Sequence, residues 1–80
     1  MTHSILRLPA VKASTGLSRS TIYLRIAQGV FPRPVSLGAR AVGWPASEVV
    51  ALNAARISGR SDAEIRELVA KLEAARKTAA

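Results

Sequence analysis

The chain contains no cysteine, so neither a disulfide nor a thiolate metal site can form. It has one histidine, His3, close to the N-terminus. A lone imidazole there has no second ligand with which to hold a metal, and it is expected to face solvent. Aromatic residues number three, Tyr23, Phe31 and Trp44. That is too few for the stacking platforms on which single-stranded RNA is held. Apolar runs are as short as Val49-Val50-Ala51-Leu52, far below the roughly 20 residues a membrane span requires. No signal-peptide pattern opens the sequence, so a cytoplasmic location and no membrane partner are expected. The last absence is acid: the first 47 residues carry none.

That absence sets the charge pattern. Arg7, Lys12, Arg19, Arg25, Arg33 and Arg40 stand alone in residues 1–47, whereas from Glu48 onward six bases face five acids. Nearly all of the net charge of +7 therefore lies in the N-terminal part, and a pI near 11.5 points to a polyanionic partner. The acids lie on helices with basic neighbours or at caps, and nothing stands beside the histidine to build a site. No enzymatic activity, cofactor or small-molecule substrate is expected. Eighty residues, 49% of them hydrophobic, form one small domain.

Start and stop signals divide the chain. Leu8–Thr15 reads as a short helix with Pro9 in its first turn and Gly16 at its end, with Leu8 and Val11 directed inward. Ser18 suits the N-cap of a second helix running to Gln28, with Ile22 and Ile26 on the core face. Ser20, Tyr23, Leu24 and Ala27 turn away from that face, flanked by Arg19 and Arg25. Gly29 and the Pro32-Arg33-Pro34 run end the helix. Val35–Trp44 reads as a hairpin with strands Val35–Leu37 and Ala41–Trp44, a Gly38–Arg40 loop and Trp44 as its anchor. A third helix is expected over Pro45–Ser58, with Val49, Leu52 and Ile57 as its apolar stripe. A fourth follows a Ser61/Glu64 capping box. Its stripe of Ile65, Leu68, Val69, Leu72 and Ala75 serves either core closure or contact with a second copy. Asp62–Arg66, Glu67–Lys71 and Glu73–Lys77 are spaced as i, i+4 ion pairs. Only Thr78–Ala80 is expected to fray.

Helix, glycine turn, helix and basic hairpin describe a mainly α fold with a small β-hairpin wing, a winged helix-turn-helix. Such a second helix fits the major groove of duplex DNA, its N-terminal residues nearest the base edges. Ser18, Arg19, Ser20, Thr21, Tyr23, Leu24 and Arg25 are the expected contacts there. Arg40 on the wing, with Arg33, Lys12 and Arg7 on the flanks, would meet phosphates or the minor groove.

Gly16–Tyr23 (GLSRSTIY), Gly29–Val35 (GVFPRPV), Leu37–Trp44 (LGARAVGW) and the helix start SEVVAL resemble the AlpA-like phage and prophage regulators, a branch of the MerR-like and excisionase-like winged-helix proteins. The resemblance spans roughly residues 5–57. It departs from the usual family pattern at Leu24, Ala27 and Leu52, and leaves the fourth helix outside. It implies a sequence-specific double-stranded-DNA-binding transcriptional regulator of a phage, prophage or other mobile element, with Ser18–Gln28 as recognition helix and Gly38–Arg40 as wing. An excisionase-like architectural factor, a recombination directionality factor, is the alternative within that class. A protein-interaction module docking through the last helix is the alternative outside it. On this reading residues 1–58 form the DNA-binding unit and residues 59–80 an added amphipathic helix. Partners are duplex DNA and a second copy, as homodimer or cooperative array.

Overall fold

Glycines and capping hydroxyls set the element boundaries close to where the sequence places them. The computed structural model describes residues 4–78, so His3 and the last two alanines lie outside the described residues. Helix α1 is Leu8–Thr15, α2 Arg19–Ala27, α3 Ala46–Ile57 and α4 Asp62–Ala75. Strand β1 is Ile5–Leu6, β2 Val35–Gly38 and β3 Ala41–Pro45. Arg76–Thr78 adds a 3-10 turn, so Thr78, expected to fray, closes a short helical segment. The result is a mostly helical winged helix-turn-helix domain with a small antiparallel sheet of order β1-β3-β2.

Three helix boundaries have a clear local cause. Gly16 takes a left-handed φ of 74° and its N–H donates to the Lys12 carbonyl, closing α1. Ser18 caps α2, its Oγ accepting from the Thr21 N–H. The capping box at α4 is complete: the Glu64 N–H donates to Ser61 Oγ, and Glu64 accepts from the Ser61 N–H. That backbone N–H, followed by the Arg60 guanidinium, holds the Glu64 carboxyl below the usual carboxylate range.

The sheet has one strand more than the hairpin expected from the sequence. Ile5 pairs with Pro45 and Leu6 with Trp44, so the chain start lies along β3. The approach depends on Gly43, because a Cβ there would collide with the Ile5 side chain. The Ser4 carbonyl also accepts from the Ala46 N–H, tying this strand to the start of α3.

Two apolar clusters fill the interior. Val11, Ile22, Phe31, Trp44 and Val49 form the first, with Leu6, Leu8, Leu17 and Ile26 packed around them. Trp44 has no exposed surface and its indole N–H donates to the Pro32 carbonyl at 2.9 Å. Val30, Leu52, Ala55, Ile65 and Val69 form the second cluster, with Leu68 and Leu72 at its edge. The apolar stripe of α4 is thus turned against α3 and the loop after α2. Ile57, expected in the α3 stripe, is instead 86% exposed. Ala55 takes the inward position, because at about 100° per residue Ile57 falls on the outer face together with Val50, which is also exposed. Ala75, expected in the α4 stripe, is likewise exposed.

The ion pairs also differ from expectation. Asp62 pairs with Arg56 and Glu64 with Arg60, both at 3.1 Å. Glu73 accepts from the Arg33 backbone N–H at 2.8 Å. None of the three i, i+4 pairs expected on α4 forms among the described residues. Such exposed pairs contribute only about 0.3–0.5 kcal/mol each, and Asp62 and Glu73 take partners outside α4 instead. The buried acid is Glu48, 4% exposed and bonded to Arg76, whose guanidinium pKa it raises above the ordinary value.

Replacing Trp44 by Ala should cost about 3–5 kcal/mol, a large part of the roughly 5–15 kcal/mol typical of a folded domain. Urea unfolding of Trp44→Ala, followed by circular dichroism, measures this. A loss below about 1 kcal/mol would mean that the first cluster does not organise the fold.

Candidate nucleic-acid interface

The α1-turn-α2 unit is braced from both sides. Thr15 Oγ1 donates to the Val11 carbonyl at 2.7 Å and accepts from the Leu17 N–H at 3.3 Å, which shapes the turn. The Asn53 side-chain amide on α3 donates to the Ser14 carbonyl at 3.0 Å, holding the end of α1. Ile22 sinks into the first cluster and Ile26 follows it, so the opposite face of α2 is presented outward.

Within that face the hydroxyls are linked, Ser18 Oγ and Ser20 Oγ sharing a hydrogen bond at 3.2 Å. Ser18 Oγ donates to Thr21 Oγ1 at 2.9 Å as well as capping the helix. Thr21 is half-buried, so these two hydroxyls are engaged with each other. Ser20, Leu24, Ala27 and Gln28 form the centre of the exposed face, and Leu24 is 57% exposed. Tyr23 stands at one margin, 38% exposed, with its ring edge-on to Trp44 at a centroid distance of 6.4 Å. The Arg19 guanidinium lies 5.6 Å from the Tyr23 ring centroid, a cation–π contact that places the charge beside the aromatic margin. Arg25 does not join them: half-buried, it lines a separate groove with Thr15, Leu17, Phe31 and Asn53. Ala27 and Gln28 were not among the expected contacts, although their spacing from Leu24 and Ser20 places them on the same face.

The wing is the β2–β3 hairpin. Its turn is Ala39-Arg40 alone, because Gly38 already pairs with Ala41 at the end of β2. The pairing is irregular between Ser36 and Gly38. Arg40 adopts a φ of 60° and is the one non-glycine residue with positive φ among the described residues. Glycine or asparagine is usual at such a turn position. An exposed arginine is therefore held at the hairpin end in a backbone state that costs it energy.

Arg7, Lys12, Arg19, Arg33 and Arg40 are exposed. None of the six bases of residues 1–47 forms a salt bridge among the described residues. Four of the five acids bond to Arg56, Arg60, Arg76 and the Arg33 backbone N–H instead, and Glu67 forms no salt bridge among the described residues. The cations of this part of the chain are thus free of carboxylate ion pairs, with Glu73 reaching only the Arg33 backbone. Among the described residues there is no group of three or more His, Cys, Asp or Glu able to hold a metal ion, and no helix is long and apolar enough to cross a membrane.

The family profile described as Prophage CP4-57 regulatory protein (AlpA) matches residues 4–57, which hold β1, both helices of the helix-turn-helix, the wing and α3. The chain belongs to this AlpA family. It is similar to the uncharacterized protein ORF88 of Enterobacteria phage P4, at 56% identity over 55 residues, covering 69% of this chain and 62% of that protein. It thus spans less than two-thirds of that relative's length. It is also similar to the DNA-binding transcriptional activator AlpA of Escherichia coli strain K12, at 41% identity over 51 residues, covering 56% of this chain and 73% of that protein. No solved structure matches the chain significantly. Helix α4 lies beyond the AlpA-family match.

The Arg40 backbone gives a direct test of the wing geometry. Arg40→Gly should stabilise the fold by about 0.5–1 kcal/mol relative to Arg40→Ala, since only glycine takes this φ without steric cost. Paired denaturation curves measure the difference. Equal stabilities would show that the turn does not hold residue 40 in the left-handed region.

Proposed function

We propose that this AlpA-family chain is a sequence-specific double-stranded-DNA-binding transcriptional regulator of a phage, prophage or other mobile element, acting in the cytoplasm at the nucleoid. The observation that carries this is the exposed face of α2, Arg19, Ser20, Tyr23 and Leu24, set in a part of the chain whose cations lack carboxylate partners. The description of the Escherichia coli relative as a DNA-binding transcriptional activator supports the same reading.

On this reading the helix from Ser18 to Gln28 enters the major groove. Arg19 and Ser20 meet base edges, and Leu24 meets a thymine methyl. Ser18 and Thr21 order the helix start, whose free N–H groups and positive dipole end favour a phosphate. Arg40 reaches the neighbouring backbone or minor groove from the wing, while Arg33, Lys12 and Arg7 neutralise phosphates at the flanks. Arg25 approaches from the groove beside α1. Residues 1–58 carry the DNA contacts, and residues 59–80 brace them. One domain of this size covers little DNA, so two copies on adjacent half-sites supply the affinity.

An excisionase-like architectural factor would use the same surface; pronounced bending in a circularly permuted gel-shift series would favour it. A module docking a protein through its last helix is disfavoured, because Ile65 and Val69 are already buried.

Footprinting on DNA flanking its own gene, at two salt concentrations, tests the proposal. Arg19→Ala and Tyr23→Ala should each weaken binding to the protected site by about tenfold or more, a loss of roughly 1–3 kcal/mol, and weaken random duplex less. Equal losses on both would mean that α2 reads no bases. Arg40→Ala should reduce the slope of log affinity against log salt by about one unit. An unchanged slope would remove the wing from the phosphate contacts.

A further inference from the structure

Helix α4 lies beyond the family match, yet its polar side chains reach the loop that joins α2 to the wing. Arg66 Nε donates to the Gln28 carbonyl at 2.9 Å. It thereby satisfies a free carbonyl at the C-terminal end of α2 and places a cation at the negative end of the helix dipole. The Arg66 methylenes lie against Gly29, where an added Cβ would meet them at 3.6 Å. Farther along, Glu73 accepts from the Arg33 N–H at 2.8 Å and Arg76 Nη2 donates to the Arg33 carbonyl at 2.7 Å. Both backbone groups of Arg33, between two prolines, are therefore held by α4 and the turn after it.

Arg76 does more than hold Arg33. Its Nε donates to Glu48 Oε2 at 2.9 Å and its Nη2 to Glu48 Oε1. Arg33 stands two residues before β2 begins, and Glu48 three residues after β3 ends. One guanidinium thus joins the two roots of the wing hairpin to each other and to the end of α4. A planar fork of fixed donors can bridge a carboxylate and a carbonyl together, which an ammonium cannot do with the same geometry.

We propose that Arg76 is a positioning residue for the wing, and that α4 acts as a strap across the α2–wing connector that fixes the wing relative to the recognition helix. This rests on the DNA-binding reading for its use, but its geometry is testable without DNA. Rigid placement matters because the helix and the wing must meet the duplex together. A wing free to swing loses orientation entropy each time it docks. The strap would let a chain tune placement of its wing without altering a DNA-contacting residue.

The absence of cysteine permits a clean measurement in the full chain. Spin labels at Ala13→Cys on α1 and Ala39→Cys in the wing turn, both exposed positions, report the distance between helix-turn-helix and wing. Arg76→Met and, as a milder variant, Glu73→Ala should broaden that distance distribution while helical content stays unchanged. Arg60→Met, which breaks an exposed pair at the start of α4, should leave it narrow. If Arg76→Met fails to fold, Glu73→Ala decides, since it removes only one bond to Arg33. On duplex DNA, Arg40→Ala should weaken binding about tenfold in the parent but less than about threefold beside Arg76→Met, or beside Glu73→Ala if that variant must decide, because a misplaced wing has little left to lose.

A distribution as narrow in the folded variants as in the parent overturns the strap. So does a full tenfold Arg40 penalty retained beside the deciding variant. If the parent itself shows no salt-dependent duplex binding, the DNA reading fails and the distance measurement alone decides the strap.

Discussion

The fold is organised around the burial of one indole. Trp44 sits on the central strand and is packed by Val11 from α1, Ile22 from α2, Phe31 from the connector and Val49 from α3. Phe31 meets it edge-on at a centroid distance of 6.3 Å, and Tyr23 does so from the outer side. The indole N–H needs a partner once buried, and the Pro32 carbonyl supplies it. That bond fixes the connector against the sheet. Trp44 therefore ties the helix-turn-helix, the connector and the sheet together from the inside, and the exposed face of α2 is what remains once Ile22 has been drawn toward it.

A second constraint is electrostatic. The acids of this chain occur only from residue 48 onward, and the folded arrangement keeps them there. Glu48 is buried against Arg76, Asp62 and Glu64 pair with Arg56 and Arg60, and Glu73 turns to a backbone N–H. Glu48 and Glu73 do approach the roots of the wing, but Arg76 and the Arg33 N–H take up their oxygens, so neither pairs with a cation of α2 or the wing turn. All three ion pairs among the described residues thus lie in residues 48–78, and none involves a cation of residues 4–47.

Much of this was legible in the sequence where the signals are local. Gly16, Ser18, Gly29, Gly59 and the Ser61/Glu64 pair each act within a few residues, and the helices begin and end beside them. Strand β1 was not legible, because two residues carry no periodicity and its pairing depends on the missing side chain of Gly43 far along the chain. Ile57 misled because it is apolar, although at about 100° per residue it falls beside exposed Val50 and well away from Leu52 and Ala55. Arg40 could be seen as a wing cation, but its left-handed backbone could not, since nothing about arginine announces it. The contacts of Arg66, Glu73 and Arg76 with the connector span 38 to 43 residues, and no spacing rule reaches that far.

The solitary tryptophan also makes the molecule its own optical instrument. Indole emission shifts with the polarity and mobility of its surroundings, and here every emitted photon comes from the junction of helices, connector and sheet. No second indole blurs the signal. The ring beside it, Tyr23, lies at the margin of the exposed α2 face. Whatever settles on that face therefore lands within one aromatic ring of the fluorophore, and an unlabelled chain can report occupancy of its outer surface through the light emitted from its centre.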